Sequence, residues 1–220
     1  MTFAAGLRRF TVTTHVTSSV GWLGAVLVFL ALAAIGLSSE DERTVRGAYL
    51  VMAPAAWFVL VPLAHASLFS GIALSLGTPW GLLRHYWVAI KLVITVFATV
   101  ILMVYMATFR QMARAAADPV VELGLVQNPS PLVHAILALI LLIAATVLAV
   151  YKPFGLTPYG ARLQSQRRDG VLRAVSARTD SAPVQNLERS AWTYVLWIVA
   201  LAILVVIVAS HLMGSASHGH

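Results

Sequence analysis

The chain has no cysteine, and only 10% of its 220 residues are charged. The first absence excludes disulfides, thiolate metal sites, cysteine nucleophiles and thiol redox chemistry. The second excludes a soluble globule, because soluble domains carry about 25% charged residues. Charge is missing in long runs: no Asp, Glu, Lys or Arg occurs in 10–39, 47–83, 92–109, 123–151 or 190–220. These runs therefore hold no carboxylate relay of the kind that pumps use. The GxxxxGK[ST] phosphate loop, the HExxH zinc motif and the GxSxG elbow are also absent, which argues against primary pumps and membrane metalloproteases.

What remains is 60% hydrophobic, with a mean hydropathy of +0.85. A spanning helix needs about 20 mostly apolar residues. The charge-free runs thus predict an all-α polytopic transmembrane helical bundle of five helices, near 12–37, 48–75, 87–109, 132–151 and 192–212. The third run extends upstream through Tyr86 to Ile90, with Lys91 placed to snorkel. Arg8, Arg9 and the small-residue stretch "ALAA" (31–34) resemble signal-peptide features. The apolar run exceeds the roughly 7–15 residues of a signal h-region, so it reads as a span.

The net charge of +7 reflects sidedness rather than nucleic-acid binding. With five spans, Arg8, Arg9, Arg84, Lys91, Lys152, Arg162, Arg167, Arg168, Arg173, Arg178 and Arg189 share one side. Arg43, Arg46, Arg110 and Arg114 share the other, diluted by Glu40, Asp41, Glu42, Asp118 and Glu122. The positive-inside rule then predicts the N-terminus in the cytoplasm, the C-terminus outside, and a multi-pass protein of the cytoplasmic (inner) membrane.

The second span carries Pro54 and Pro62, each removing a backbone donor and favouring a kink. Ser67, Ser70, Gly71 and Ala73 follow, small enough for close helix approach. In "GTPW" (77–80), Gly77 suits a helix end, Thr78 an N-cap and Pro79 a first helical position, predicting a sharp turn and an immediate restart. Trp80, Tyr86, Trp87, Arg84 and Lys91 belong at the headgroup level as an interfacial anchor. The 152–191 loop starts with Pro and Gly turns and becomes basic and polar. It is expected to lie on anionic lipid at the cytoplasmic face or to be partly disordered, with docking of a partner subunit open. Residues 213–220 are a His-containing tail, read as flexible.

Histidine carries the candidate chemistry. His15, His65, His134 and His211 sit in or at the ends of four different spans, and His85 at a loop-to-helix junction. An imidazole in a membrane interior is costly without a partner. Several on different helices suit axial ligation of haem b or a metal or proton site. At about 1.5 Å per residue, His134 and His211 both lie roughly 13 Å toward the outside, whereas His15 and His65 differ in depth by roughly 8 Å. The plainer reading has each imidazole capping a helix or meeting headgroups. His211, Met213, His218 and His220 form an external set that could bind copper. In "TVTTHVTSSVGW" (11–22), Thr11, His15, Ser18, Ser19 and Trp22 follow i, i+4, i+7, i+8, i+11, one helical face. Lipid offers these groups no partner, so the face is expected to turn inward, toward another helix or a cofactor.

The stretches "HVTSSVGWLGAVLVFLALA" (15–33) and "LSLGTPWGLLRHYWVAIKLVIT" (74–95) resemble a family of multi-pass membrane proteins common in actinobacteria. The resemblance covers roughly residues 10 to 105 and brings no activity with it. His15, Trp22 and Gly24 also look distantly like the start of copper-resistance D-type proteins and of the J-type protoporphyrinogen oxidase. The latter resemblance implies an association with haem. Three expectations follow: a haem-b protein in electron transfer or haem handling, with His15 and His65 as first ligands; a non-catalytic scaffold, partner subunit or homo-oligomer; or a copper-handling protein.

Overall fold

The computed structural model describes residues 3–78, 81–153 and 155–176. The regular elements among them are helices: α1 (Ala5–Ser38), α2 (Glu42–Ala55), α3 (Val61–Leu76), α4 (Tyr86–Ala117), α5 (Leu123–Val126), α6 (Ser130–Tyr151) and α7 (Pro158–Ser176). Four stretches are long and apolar enough to cross a membrane: Ala5–Ser38, Glu42–Leu76, Tyr86–Ala117 and Leu123–Tyr151. The protein is therefore an all-α membrane protein. The expected fifth span at 192–212 and the tail 213–220 lie outside the described residues.

The helices outrun the charge-free runs that announce them. α1 begins at Ala5 and carries Arg8 and Arg9, and α4 continues to Ala117 past Arg110 and Arg114. A charge-free run marks the hydrocarbon layer, but a helix satisfies its own backbone and runs on while its long cations reach toward headgroups.

The chain divides into two compact units. The first, Met1–Leu82 with Trp87–Lys152, holds nearly all of the four spanning stretches. Within it α1 packs along α3, α6 and α2. Thr11, Ser18, Trp22, Val26, Phe29, Ala33 and Gly36 of α1 are buried, a single face at helical spacing. Phe10, Val20 and Val28 on the other faces are exposed, as expected of a helix that meets lipid rather than water. Phe109 of α4 meets Phe29 edge-on at 5.5 Å. Gly36 lets α2 approach closely: a Cβ there would stand 3.0 Å from the ring of Tyr49, which is fully buried.

α2 and α3 are joined by a π-helical turn, Ala56–Leu60, between Pro54 inside α2 and Pro62 in the first turn of α3. The wider turn accommodates the carbonyls left without a donor by the prolines, without breaking the span. α3 ends at Leu76 with Gly77 as its C-cap. The expected restart at Pro79 lies outside the described residues; beyond it Gly81 turns the chain at φ 63°, a left-handed value that favours glycine, and α4 begins at Tyr86.

The described residues of the second unit are 83–86, 153 and 155–176. His85 and Leu156 form an isolated antiparallel bridge. The Thr157 N–H donates to the Arg84 carbonyl at 2.9 Å, and its hydroxyl donates to the Leu83 carbonyl at 2.6 Å. The same hydroxyl accepts from the Gly160 N–H at 3.0 Å, capping α7. Gly160 lies against the Arg84 carbonyl too closely for any side chain. Turn residues in the sequence thus start a helix here, because Thr157 and Pro158 make an N-cap and first helical position.

Candidate functional site

The polar face at the start of α1 does turn inward. Thr11 and Ser18 are buried; the Thr11 hydroxyl donates back to the Leu7 carbonyl at 2.8 Å and the Ser18 hydroxyl to the His15 carbonyl at 3.1 Å. Back-bonding of this kind satisfies a hydroxyl inside its own helix. Two groups instead reach across to α3. Ser19 Oγ and Ser67 Oγ lie 2.8 Å apart. His15 Nδ1 lies 3.0 Å from the Ser67 carbonyl and 3.1 Å from Ser70 Oγ.

The His15 contact decides the tautomer. A carbonyl oxygen only accepts, so Nδ1 carries the proton and Nε2 of the neutral ring keeps its lone pair. Gly71 makes room for the ring: a Cβ at that position would come within 3.0 Å of His15 Cε1. An imidazole oriented through a carbonyl on one nitrogen, with a lone pair on the other, is how a metal-ligating histidine is prepared.

His15 lines a cavity of about 370 Å³ between α1, α3, α4 and α6. Small-molecule sites run from about 300 to 1,000 Å³. Ser67 and Gly71 form the α3 wall beside His15; Arg8, Lys91 and Lys152 also line the cavity, and among the described residues no Asp or Glu does. Much of the remaining wall is apolar, from Val12, Leu68, Ile72, Val88 and Leu92.

The other histidines are placed differently. His65 donates from Nδ1 to the Val61 carbonyl of its own helix at 2.8 Å and sits beside Phe69. It does not line the His15 cavity, so these two do not meet there as a pair. His134 donates from Nδ1 to the Ser130 carbonyl at 2.9 Å and stacks on Tyr105 at 4.1 Å. Tyr105 Oη and Ser130 Oγ lie 2.7 Å apart. His85 lies in the bridge of the second unit. His211, Met213, His218 and His220 lie outside the described residues. Among the described residues no three of His, Asp and Glu gather as metal ligands.

Sequence reasoning assigns Lys91 to the headgroup layer and counts Arg8 among the cytoplasmic cations, and the structure places both on the cavity wall. The available signal was the position of Lys91 inside the third span. The partners of His15 were also only half visible: Ser67 and Ser70 are named by their size, yet the Ser67 contact uses a backbone oxygen.

Fold and cavity together define a multi-pass helical membrane protein with a cavity among its helices that His15 lines. Comparison with protein-family models, with curated proteins and with solved structures finds no match.

Proposed function

We propose that the protein is a five-span protein of the cytoplasmic membrane, with the N-terminus inside, that binds haem b through His15 and serves in haem handling. The observation that carries this reading is the His15 geometry: Nδ1 is bound to the Ser67 carbonyl, and the ring lines a cavity with apolar walls and cationic residues. Haem b needs a neutral imidazole nitrogen for its iron, apolar walls for its ring and cations for its carboxylates. With His65 bonded within its own helix, His15 is the one histidine among the described residues that lines this cavity, and it would hold the haem iron there. That arrangement suits holding or passing on haem better than a two-layer electron relay. The likeness of the start of α1 to the haem-associated J-type family points the same way.

Sidedness rests on the cations. Arg8 and Arg9 precede the first span, Arg84 lies between the second and third, and Lys152 with Arg162, Arg167 and Arg168 follows the fourth. This excess supports a cytoplasmic side for these segments, with the basic α7 against anionic lipid headgroups.

The test is spectroscopic. Protein purified from haem-supplemented cells should show a Soret band and a pyridine haemochrome. His15→Ala should abolish both, while His65→Ala should leave them in place. Absence of both signals from the unmodified protein overturns the haem reading and leaves the partner-subunit reading in its place.

A further inference from the structure

We infer that the kinked middle of the second span is a dimer interface, in which the face carrying Pro54, Trp57, Phe58 and Pro62 pairs with the same face of a second copy of this chain. The inference stands apart from the haem reading.

Pro54 and Pro62 both lie inside the spanning stretch Glu42–Leu76, and neither brings an N–H. Two carbonyls of that stretch therefore lack an amide of their own. In the π-helical turn the Val61 N–H reaches back to the Ala56 carbonyl. The carbonyls next in line for Pro62 are those of Trp57 and Phe58, and the one in line for Pro54 is that of Leu50. Leu50, Pro54, Phe58 and Pro62 follow at intervals of four, one helical face. That face points away from the core: Leu50 is 41% exposed, Trp57 53% and Phe58 75%, whereas Met52, Ala56, Leu60 and Ala64 behind it are buried. Trp57 stands eleven residues beyond Arg46, about 16 Å along the axis and roughly halfway through a hydrocarbon layer of about 30 Å. Lipid tails offer a carbonyl no donor at that depth, and irregular backbone there is tolerated only against protein or a water-filled cavity. Tryptophan itself belongs at the headgroup level. Among the described residues the Trp57 indole N–H meets no acceptor.

Each chain thus carries a spare donor, the Trp57 indole N–H, and spare acceptors, the carbonyls one turn before Pro62, at one depth and on one face. A second copy related by a two-fold axis along the membrane normal presents the same groups at the same depth. Each indole then donates to a carbonyl of the other copy, and the pattern is self-complementary, as an isologous interface requires. A lipid chain supplies neither half of that exchange. Phe69, seven residues beyond Pro62 and 61% exposed, continues the face toward the other end of the span. Packing and interhelical hydrogen bonds of this kind drive association in lipid, where burial of apolar surface gives no advantage over contact with tails.

The experiment uses the full-length chain in phosphatidylcholine vesicles. The protein has no cysteine, so Phe58→Cys sets a single thiol at the centre of the face. Val104→Cys sets one on α4, at a residue 72% exposed. Oxidation with copper phenanthroline should turn Phe58→Cys largely into a disulfide-linked dimer and leave Val104→Cys monomeric. Equal cross-linking of the two overturns the assigned face. Energy transfer between copies labelled at Glu40→Cys, outside the spans, then gives the dissociation constant as lipid is added. Trp57→Phe keeps a ring but loses the donor, and two such contacts vanish per dimer, so the constant should rise about tenfold. Pro62→Ala returns an N–H to its own helix and should weaken the dimer in the same direction without lowering the thermal midpoint, which separates loss of pairing from loss of fold. An unchanged constant in Trp57→Phe overturns the indole exchange. A chain that stays monomeric at every protein-to-lipid ratio overturns the dimer and leaves the face to another segment of its own chain or to lipid.

Discussion

Arg46 on α2 and Lys91 on α4 are both cations on spanning helices, at opposite ends of the first unit, and they live in opposite surroundings. The Arg46 side chain is only 14% exposed and fully engaged. Its Nε donates to Glu42 at 2.7 Å, Nη1 to the Asp118 carbonyl at 2.8 Å and Nη2 to the Val121 carbonyl at 2.7 Å. Weaker contacts reach the Ala115 and Ala116 carbonyls at the C-terminal end of α4, where a cation also complements the helix dipole. Around it, Gln127 donates to the Ser39 carbonyl beyond α1 at 3.0 Å. The Tyr49 hydroxyl donates to the Asn128 carbonyl at 3.0 Å and accepts from its N–H at 2.9 Å. Lys91 instead lines a cavity in which no Asp or Glu stands among the described residues. One end is closed on itself and holds the helices together. The other end surrounds Lys91 with a cavity in place of such bonds.

The contrast predicts opposite signs for similar substitutions. Arg46→Ala should cost the most, about 3 kcal/mol, because several carbonyls lose a charged donor at once. Thermal unfolding in detergent would show it, and an unchanged midpoint would remove Arg46 from the account of the closed end. Lys91→Met, by contrast, should raise the stability of the ligand-free protein by about 1 kcal/mol, since it removes a cation that has no ion pair among the described residues. A fall in midpoint comparable with that of Arg46→Ala would show that Lys91 holds the fold and would erase the contrast.

The smallest expected effect lies at Asp41, the N-cap of α2. Its carboxylate accepts from the Thr44 hydroxyl at 2.5 Å and from the Thr44 N–H at 3.0 Å. The Thr44 hydroxyl first, and then the Thr44 amide, hold this carboxyl below its ordinary value of 3.8. A depressed carboxyl stabilises the fold above its unfolded value and loses that contribution as the pH falls through the folded one. Asp41 is fully exposed, so the gain is slight. Asp41→Asn keeps a good cap. It should differ from the parent a little at neutral pH and converge with it in acid; a difference that grows on acidification would reverse the sign.

Much of the molecule was legible in the sequence. The run 10–39 announces α1, and Pro54 and Pro62 announce the irregular turn between α2 and α3. The inward face of α1 could be read from Thr11, His15, Ser18, Ser19 and Trp22, because helical spacing is a local property and lipid gives polar groups one direction to turn. The helix at 158–176 was not legible. Its polar composition argues for no element, and its start depends on Thr157 meeting carbonyls 73 and 74 residues away.

The sequence by itself determined that the chain is helical and membrane-embedded and that His15 must face a partner, since these follow from hydropathy, period and the cost of an unpaired imidazole in lipid. Only the tertiary structure decided what the partner is. The acceptor that orients His15 is a main-chain oxygen of Ser67, an atom that every residue carries and no sequence pattern reveals. The meeting of Arg8, Lys91 and Lys152 at one cavity depends on which helix faces pack together, and residues 61 positions apart become neighbours of one site only when α4 and α6 close around it.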